Sequence, residues 1–216
     1  MSETSTLVTA EHFKYVAERT AREDPFLADL KQAARDAGIP PIWIAPEQAS
    51  FMQILLRLAR AREVIEVGTL AGYSAIAMAR ALPEGGRVRT IEIDTARAEF
   101  ARKWAARSDV AGRVEVIQGA GREVLQKLPA DSADAAFLDA DKKSYPFYLE
   151  DCLRIVRRGG LIMVDNAFAF GQLFDPQPSD PDVPAVRSFN DLMSRVPELQ
   201  SIIVPLGDGL WVGVKK

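Results

Sequence analysis

Two short acidic groups carry the residue types in this chain best suited to chemistry: Asp139-Ala140-Asp141-Lys142 and, further along, Asp165-Asn166. Each closes a short apolar run, Ala135-Ala136-Phe137-Leu138 before the first and Leu161-Ile162-Met163-Val164 before the second. Runs of that length and composition read as buried strands of a parallel sheet. Acidic side chains at the ends of two such strands emerge on one edge of the sheet, where open α/β folds bind their ligands. Two carboxylates and an amide oxygen converging there make an all-oxygen site suited to a hard divalent cation. Taken singly, either aspartate is as readily a turn or capping residue; the pair, with Asn166 and Lys142 beside it, points to function.

The elements that must position these groups follow from apolar spacing. Helical spacing runs from about Thr9 to Ala37, and Asp24-Pro25 reads as an N-cap with a first-turn proline, so two helices are expected in an N-terminal segment spanning 1–45. Pro46 opens a third helix with Phe51, Ile54, Leu55, Leu58 and Ala59 on one stripe. Strands are expected at 64–68, 87–92 and 114–117, each followed by a helix, and then at the two acidic groups, with a helix over 145–156 between them and Arg157-Arg158-Gly159-Gly160 as a turn. The stretch 167–184, rich in proline, reads as an irregular lid loop, followed by a helix near 184–195 and strands near 201–204 and 210–214 around Gly207-Asp208-Gly209. Alternating strands and helices argue a parallel sheet covered on both faces. The last two strands, joined by a tight turn, must be antiparallel to each other. The expected fold is α/β: a Rossmann-like, seven-stranded, mostly parallel sheet with an antiparallel C-terminal strand pair, in a single domain over 1–216.

Composition narrows the function. The 216 residues carry a net charge of −3, with basic residues scattered among acids, which disfavours nucleic acid as a partner. One cysteine, Cys152, and one histidine, His12, leave little room for His/Cys zinc sites or a Ser-His-Asp triad. Cys152 lies in a helical pattern and reads as a small buried hydrophobe. No run approaches membrane-spanning length and Met1 to Lys14 has no apolar signal core, so no membrane partner and a cytoplasmic location are expected.

Glu66-Val67-Gly68-Thr69-Leu70-Ala71-Gly72 is a strand end, a glycine loop and a helix start, yet neither G-x-G-x-x-G nor a Walker loop. A carboxylate at Glu66 repels a pyrophosphate and attracts a cation. Glu92, ending the second strand, stands where an acidic residue receives ribose hydroxyls. A ligand with ribose and positive charge but no phosphate is S-adenosylmethionine.

Taken together these stretches, with Gly72-Tyr73-Ser74, Thr90-Ile91-Glu92-Ile93-Asp94 and Val164-Asp165-Asn166, resemble the cation-dependent O-methyltransferases, the family of the caffeoyl-CoA and catechol enzymes. The resemblance runs from Ile44-Ala45-Pro46-Glu47-Gln48 to Pro205-Leu206-Gly207-Asp208-Gly209-Leu210. It implies that Glu66, Gly68, Thr69 and Ser74 hold the methionine part of S-adenosylmethionine, with Ile44 offering backbone near it. Glu92 would take the ribose, Ala120 or Gly121 the adenine, and Asp139 would lie beside the cofactor. It further implies Mg²⁺, or another divalent ion such as Mn²⁺ or Ca²⁺, on Asp139, Asp165 and Asn166. Lys142 matches the lysine proposed to accept the substrate proton, so Lys142 and Asp139 are the expected catalytic pair. The implied acceptor is a catechol-like aromatic small molecule and the implied assembly a homodimer. Two positions depart from the family pattern: Ala49-Ser50 replaces Gly-Gln, and Phe170 stands where the plant enzymes place a substrate-contacting Asn, which tells against acyl-CoA acceptors. Trp43, Phe168, Phe170 and Phe174 flank the site as candidate aromatic walls, while Tyr145 and Tyr148 read as helix packing. The rival readings are a NAD-dependent oxidoreductase on a similar sheet, a nucleic-acid methyltransferase, and a catalytically silent S-adenosylmethionine-binding module.

Overall fold

The computed structural model describes residues 8–20 and 22–216; residues 1–7 of the polar N-terminal stretch, and residue 21, lie outside the described residues. Helices α1 (Ala10–Arg19), α2 (Pro25–Asp36) and α3 (Pro46–Leu58) precede the sheet. The expected cap of α2 is present: the Asp24 side chain accepts the Leu27 N–H at 3.2 Å, with Pro25 in the first turn. The alternating part then runs β1 (Glu63–Val67), α4 (Tyr73–Ala79), β2 (Arg87–Glu92), α5 (Thr95–Arg107), β3 (Val114–Gln118), α6 (Gly121–Leu125) and β4 (Ala133–Leu138). A 3₁₀ turn at Lys142–Ser144 leads into α7 (Tyr145–Ile155), followed by β5 (Val156–Val164), α8 (Val183–Met193), β6 (Leu199–Val204) and β7 (Leu210–Lys215).

The seven strands form one sheet in the order β3-β2-β1-β4-β5-β7-β6. Pairings from β3 through β5 are parallel, and β7 pairs antiparallel with both β5 and β6. The last two strands are thus antiparallel, as expected, and β7 inserts between β5 and β6. Strand residues alternate between two cores: Ala135 and Phe137 of β4 face one, Ala136 and Leu138 the other, and Leu161/Met163 and Ile162/Val164 of β5 divide likewise. Burial on both faces is why these strands read as unbroken apolar runs. Cys152 lies fully buried on α7, and burial pushes its thiol up to about 12, so it is an inert core residue.

Three expectations differ from the structure. The expected turn at Arg157–Gly160 is the irregular start of β5, with a register shift between Ala133 and Ala135. Gly160 makes this possible, because a Cβ there would lie 2.6 Å from the Asp134 carbonyl oxygen. On α3 the buried face is Gln48, Ala49, Met52 and Leu56, whereas Ile54 and Leu58, expected on the inner stripe, are 52% and 76% exposed. The helix is apolar over much of its circumference, so spacing alone misassigns which arc faces the sheet. Helix α1, amphipathic in pattern, buries none of its residues.

Candidate functional site

The parallel strands deliver their C-terminal ends to one edge, and at the β1/β4 junction the chain changes direction across the sheet, a topological switch point of the kind where such folds bind ligands. Gly68 and Asp139 meet there. Asp139 N–H donates to the Val67 carbonyl at 2.9 Å, and a Cβ on Gly68, at φ +103°, would fall 1.9 Å from the Asp139 carbonyl oxygen. Gly68 is therefore required by the neighbouring strand end as well as by any ligand. A cavity of about 1040 Å³ opens above this junction.

Of the residues expected in the site, Ile44, Gly68, Thr69, Ser74, Glu92, Ala120, Gly121, Asp139, Lys142, Asp165 and Asn166 line this cavity. Glu66 does not: it lies beneath the floor, fully buried, with one carboxylate oxygen accepting the Ser74 hydroxyl and Oε2 without a hydrogen-bond partner. Burial pushes its pKa up to about 8 against the pull of that hydroxyl. Glu92 is held rigid, taking the Asp94 N–H on Oε1 at 3.0 Å and the Leu70 N–H on Oε2 at 2.8 Å. Carboxylate oxygens accept more than one donor, so both keep capacity for a pair of hydroxyls. Thr69 and Thr90 hydroxyls join at 2.5 Å under the loop.

The acidic end is built around Asp139 and Asp165. Asp165 is buried and accepts Gln48 Nε2 at 2.6 Å. Burial, reinforced by the negative charge of Asp139, pushes it up to about 7 although Gln48 and Lys142 oppose the shift. Lys142, also buried, places Nζ 3.2 Å from Asp139 Oδ1 and donates to the Tyr145 hydroxyl at 2.6 Å. Its Nζ lies 5.9 Å from the Phe170 ring centroid. Asn166, at φ +66°, donates Nδ2 to Asp208 Oδ2 at 3.1 Å, leaving Oδ1 as its acceptor. Among the described residues no three His, Cys, Asp or Glu side chains cluster as a metal centre. Within the cavity lining, Asp139 and Asp165 repel each other and, with the Asn166 amide oxygen, offer a hard-oxygen set that fits Mg²⁺ or a similar ion. The unpartnered, buried Glu66 Oε2 likewise fits a nearby cationic ligand.

Three residues of the site escape sequence reasoning. Gln48 holds Asp165 from α3; its signal is a polar residue in register with Met52 and Leu56 on the buried face. Tyr145, expected as packing, does pack edge-to-face on Phe189, but its hydroxyl also holds Lys142. Asp208, set between two glycines, lines the cavity. Of the candidate walls, Trp43 and Phe170 line the cavity, whereas Phe168 packs on Gly209 and Phe174 is 93% exposed. Phe168 therefore packs beside the Gly207–Gly209 turn without lining the cavity, and Phe174 lies outside the lining altogether. Tyr148, on α7, donates its hydroxyl to Asp141 at 2.7 Å.

Residues 17–216 match the family model described as O-methyltransferase. The chain is 35% identical over 205 residues to the catechol O-methyltransferase of Niastella koreensis, covering 94% of this chain and 90% of that one. The O-methyltransferase from Bacillus cereus, solved in complex with SAH, superposes with a TM-score of 0.85 at 33% identity, covering 94% and 96% of the two chains. TomG of Streptomyces achromogenes, involved in tomaymycin synthesis and solved in complex with SAM, gives a TM-score of 0.81 at 31% identity over 95% and 96%. A matched model spanning nearly the whole chain, on a fold whose glycine loop and acidic strand tips meet at one cavity, identifies this chain as an S-adenosylmethionine-dependent O-methyltransferase, a member of the family to which the catechol enzymes belong.

Proposed function

We propose that the enzyme methylates a hydroxyl of a catechol-type aromatic small molecule and that it requires a divalent cation, Mg²⁺ or a similar ion such as Mn²⁺ or Ca²⁺. The observation that carries this reading is the Asp139/Asp165 pair. Asp139 and Asp165 repel each other within one cavity, Asp165 being buried and driven up to about 7, and a cation is the natural counterpart to that repulsion. Asp139, Asp165 and Asn166 would hold the ion. When bound, such an ion lowers the pKa of an oxygen it contacts and can fix both oxygens of a catechol.

A phenol ionises near pKa 10, so roughly one molecule in a thousand is anionic at pH 7, and lowering that pKa to about 7 is worth roughly 4 kcal/mol. Lys142 is placed to share this work, with Nζ held between Asp139 and the Tyr145 hydroxyl: as the ammonium it would steady the acceptor's developing oxyanion, and only after giving its own proton to solvent could it, as the neutral amine, receive the acceptor's. Gln48 keeps Asp165 oriented. Phe170 and Trp43 offer apolar surface to an aromatic ring and help exclude water. On the donor side, S-adenosylmethionine supplies the methyl group. Glu66, whose burial raises its pKa to about 8, would take up its negative charge as the cofactor's cationic end binds above it; Gly68, Thr69 and Ser74 would line the methionine portion, Ile44 offer backbone, Glu92 take the ribose hydroxyls, and Ala120 and Gly121 border the adenine.

The Niastella koreensis relative, named a catechol O-methyltransferase, supports the acceptor class. The uncovered apolar side chains of α3, Ile54 and Leu58, together with the unburied face of α1, support a homodimer that covers them. A cytoplasmic location is part of this proposal; among the described residues no helix is long and apolar enough to cross a membrane. The test is methyl transfer to a simple catechol with and without EDTA. Activity lost in chelator and restored by MgCl₂ is expected, and full activity in chelator rejects the cation.

A further inference from the structure

The turn Gly207-Asp208-Gly209 between β6 and β7 organises a second segment of chain. The Asp208 carboxylate accepts three hydrogen bonds: from Asn166 Nδ2 at 3.1 Å and the Phe170 N–H at 2.8 Å on Oδ2, and from the Gly171 N–H at 3.2 Å on Oδ1. Two backbone bonds dock the same segment, Phe168 N–H to the Asp208 carbonyl at 2.8 Å and Ala167 N–H to the Gly209 carbonyl at 2.9 Å. The segment needs this template, because Asn166, Ala169 and Phe170 all hold positive φ (+66°, +53°, +59°), which side chains with a Cβ resist. The flanking glycines make room for the contacts. A Cβ on Gly209 would lie 2.8 Å from the Phe168 ring, and one on Gly207 2.1 Å from Oε1 of Gln48, the residue that holds Asp165.

We propose that Asp208 is a positioning residue that sets the amide of Asn166 and the ring of Phe170 through one carboxylate, so that the cation site and the acceptor wall form together. This rests on the cation and catechol reading above. By engaging Nδ2, Asp208 opposes the amide flip that would turn an NH₂ group toward the cation, and it leaves Oδ1 to ligate. By engaging the Phe170 and Gly171 N–H groups, it holds the Phe170 backbone in the conformation that keeps its ring on the cavity wall, near the Lys142 ammonium. Without the carboxylate, the amide flips freely and the left-handed segment relaxes, so both partners are bound less well. The cofactor end, which Asp208 does not touch, is spared.

The test titrates MgCl₂ into SAH-saturated protein by calorimetry and measures the acceptor KM with 3,4-dihydroxybenzoate, in wild type, Asp208→Asn and Phe170→Ala. In Asp208→Asn, Mg²⁺ affinity falls and acceptor KM rises, each by about tenfold, the scale of a lost hydrogen bond to a charged group, while SAH affinity stays within about twofold. Phe170→Ala raises the acceptor KM alone. Hydrogen exchange on the unmutated protein gives a second measurement that does not depend on the variant folding: MgCl₂ slows exchange at the Phe170 and Gly171 amides. Wild-type Mg²⁺ affinity in a folded Asp208→Asn protein, or amides indifferent to bound Mg²⁺, overturns the role of Asp208 while leaving the cation reading intact. A wild-type protein that binds no Mg²⁺ overturns both.

Discussion

Replacing Glu66 with Gln separates two consequences of burying a carboxyl under the cofactor floor. Its pKa sits at about 8 in the fold against an ordinary 4.5, because burial penalises the charged form. Between those values the folded protein holds a proton that the unfolded chain has released, so the ligand-free protein loses stability as pH rises from about 4.5 and levels off above about 8. At about 1.36 kcal/mol per unit, the roughly 2.5 units between 4.5 and 7 amount to about 3 kcal/mol at pH 7. From pH 5 to pH 8 the change is of similar size, and at about 2–4 °C per kcal/mol for a chain of this length it moves Tm by on the order of 10 °C. An amide does not titrate, and its oxygen still accepts the Ser74 hydroxyl. Glu66→Gln should therefore flatten this part of the pH–Tm curve in ligand-free protein, while Asp165, pushed up to about 7, contributes equally to both proteins and cancels in the difference. If Glu66 faces the cofactor's cationic end as proposed, the same substitution removes that buried charge, and S-adenosylmethionine affinity at pH 8 should fall about tenfold or more. Differential scanning fluorimetry from pH 5 to 8.5, with and without cofactor, reads both effects. Parallel pH–Tm curves for the two proteins, or unchanged cofactor affinity, refute the reasoning.

Asp139→Ala should abolish methyl transfer at saturating cofactor, as EDTA should in the wild type; residual activity of the variant in chelator would remove the carboxylate from the chemistry. Gly68→Ala puts a Cβ 1.9 Å from the Asp139 carbonyl oxygen, so it should cost about 3 kcal/mol or more and lower Tm accordingly, whatever ligand is present. Tyr145→Phe deletes the 2.6 Å acceptor of Lys142, and kcat should fall about tenfold with Mg²⁺ and cofactor affinities unchanged; a variant with wild-type kcat would show that Lys142 needs no such support.

The parts of the fold that were legible in sequence are those whose cause is local. Strands β4 and β5 leave unbroken apolar runs because both of their faces are covered, and Asp24 marks a helix start because its side chain accepts the N–H group three residues on. The acidic strand tips were legible for the same reason, since chain direction alone sends them to one edge. Partners across the chain left no local trace. Gln48 stands 117 positions from the aspartate it holds. The insertion of β7 between β5 and β6 follows from which edge was open, not from any turn residue. Glu66 could be placed at a strand end by pattern, yet which side of the floor it occupies depends on the pleat of β1 against β2, where Thr90 is its register partner.

Burial and charge together explain why the two halves of the cavity belong to one site. Glu66 is pushed up by its burial and, in smaller part, by the charges of Asp139 and Glu92, so the acidic end is felt through the floor at the donor end. A methyl donor that carries positive charge and a divalent cation would repel each other across a shared cavity. In the proposed site Asp139 would adjoin both and offset that repulsion from either side, and each cation in turn would favour the ionised forms of Glu66 and Asp165 that burial disfavours. Cofactor and cation should therefore each stabilise the protein most strongly at pH 7 to 8, where Glu66 and Asp165 are being forced to ionise, and least near pH 5, where the fold keeps both protonated.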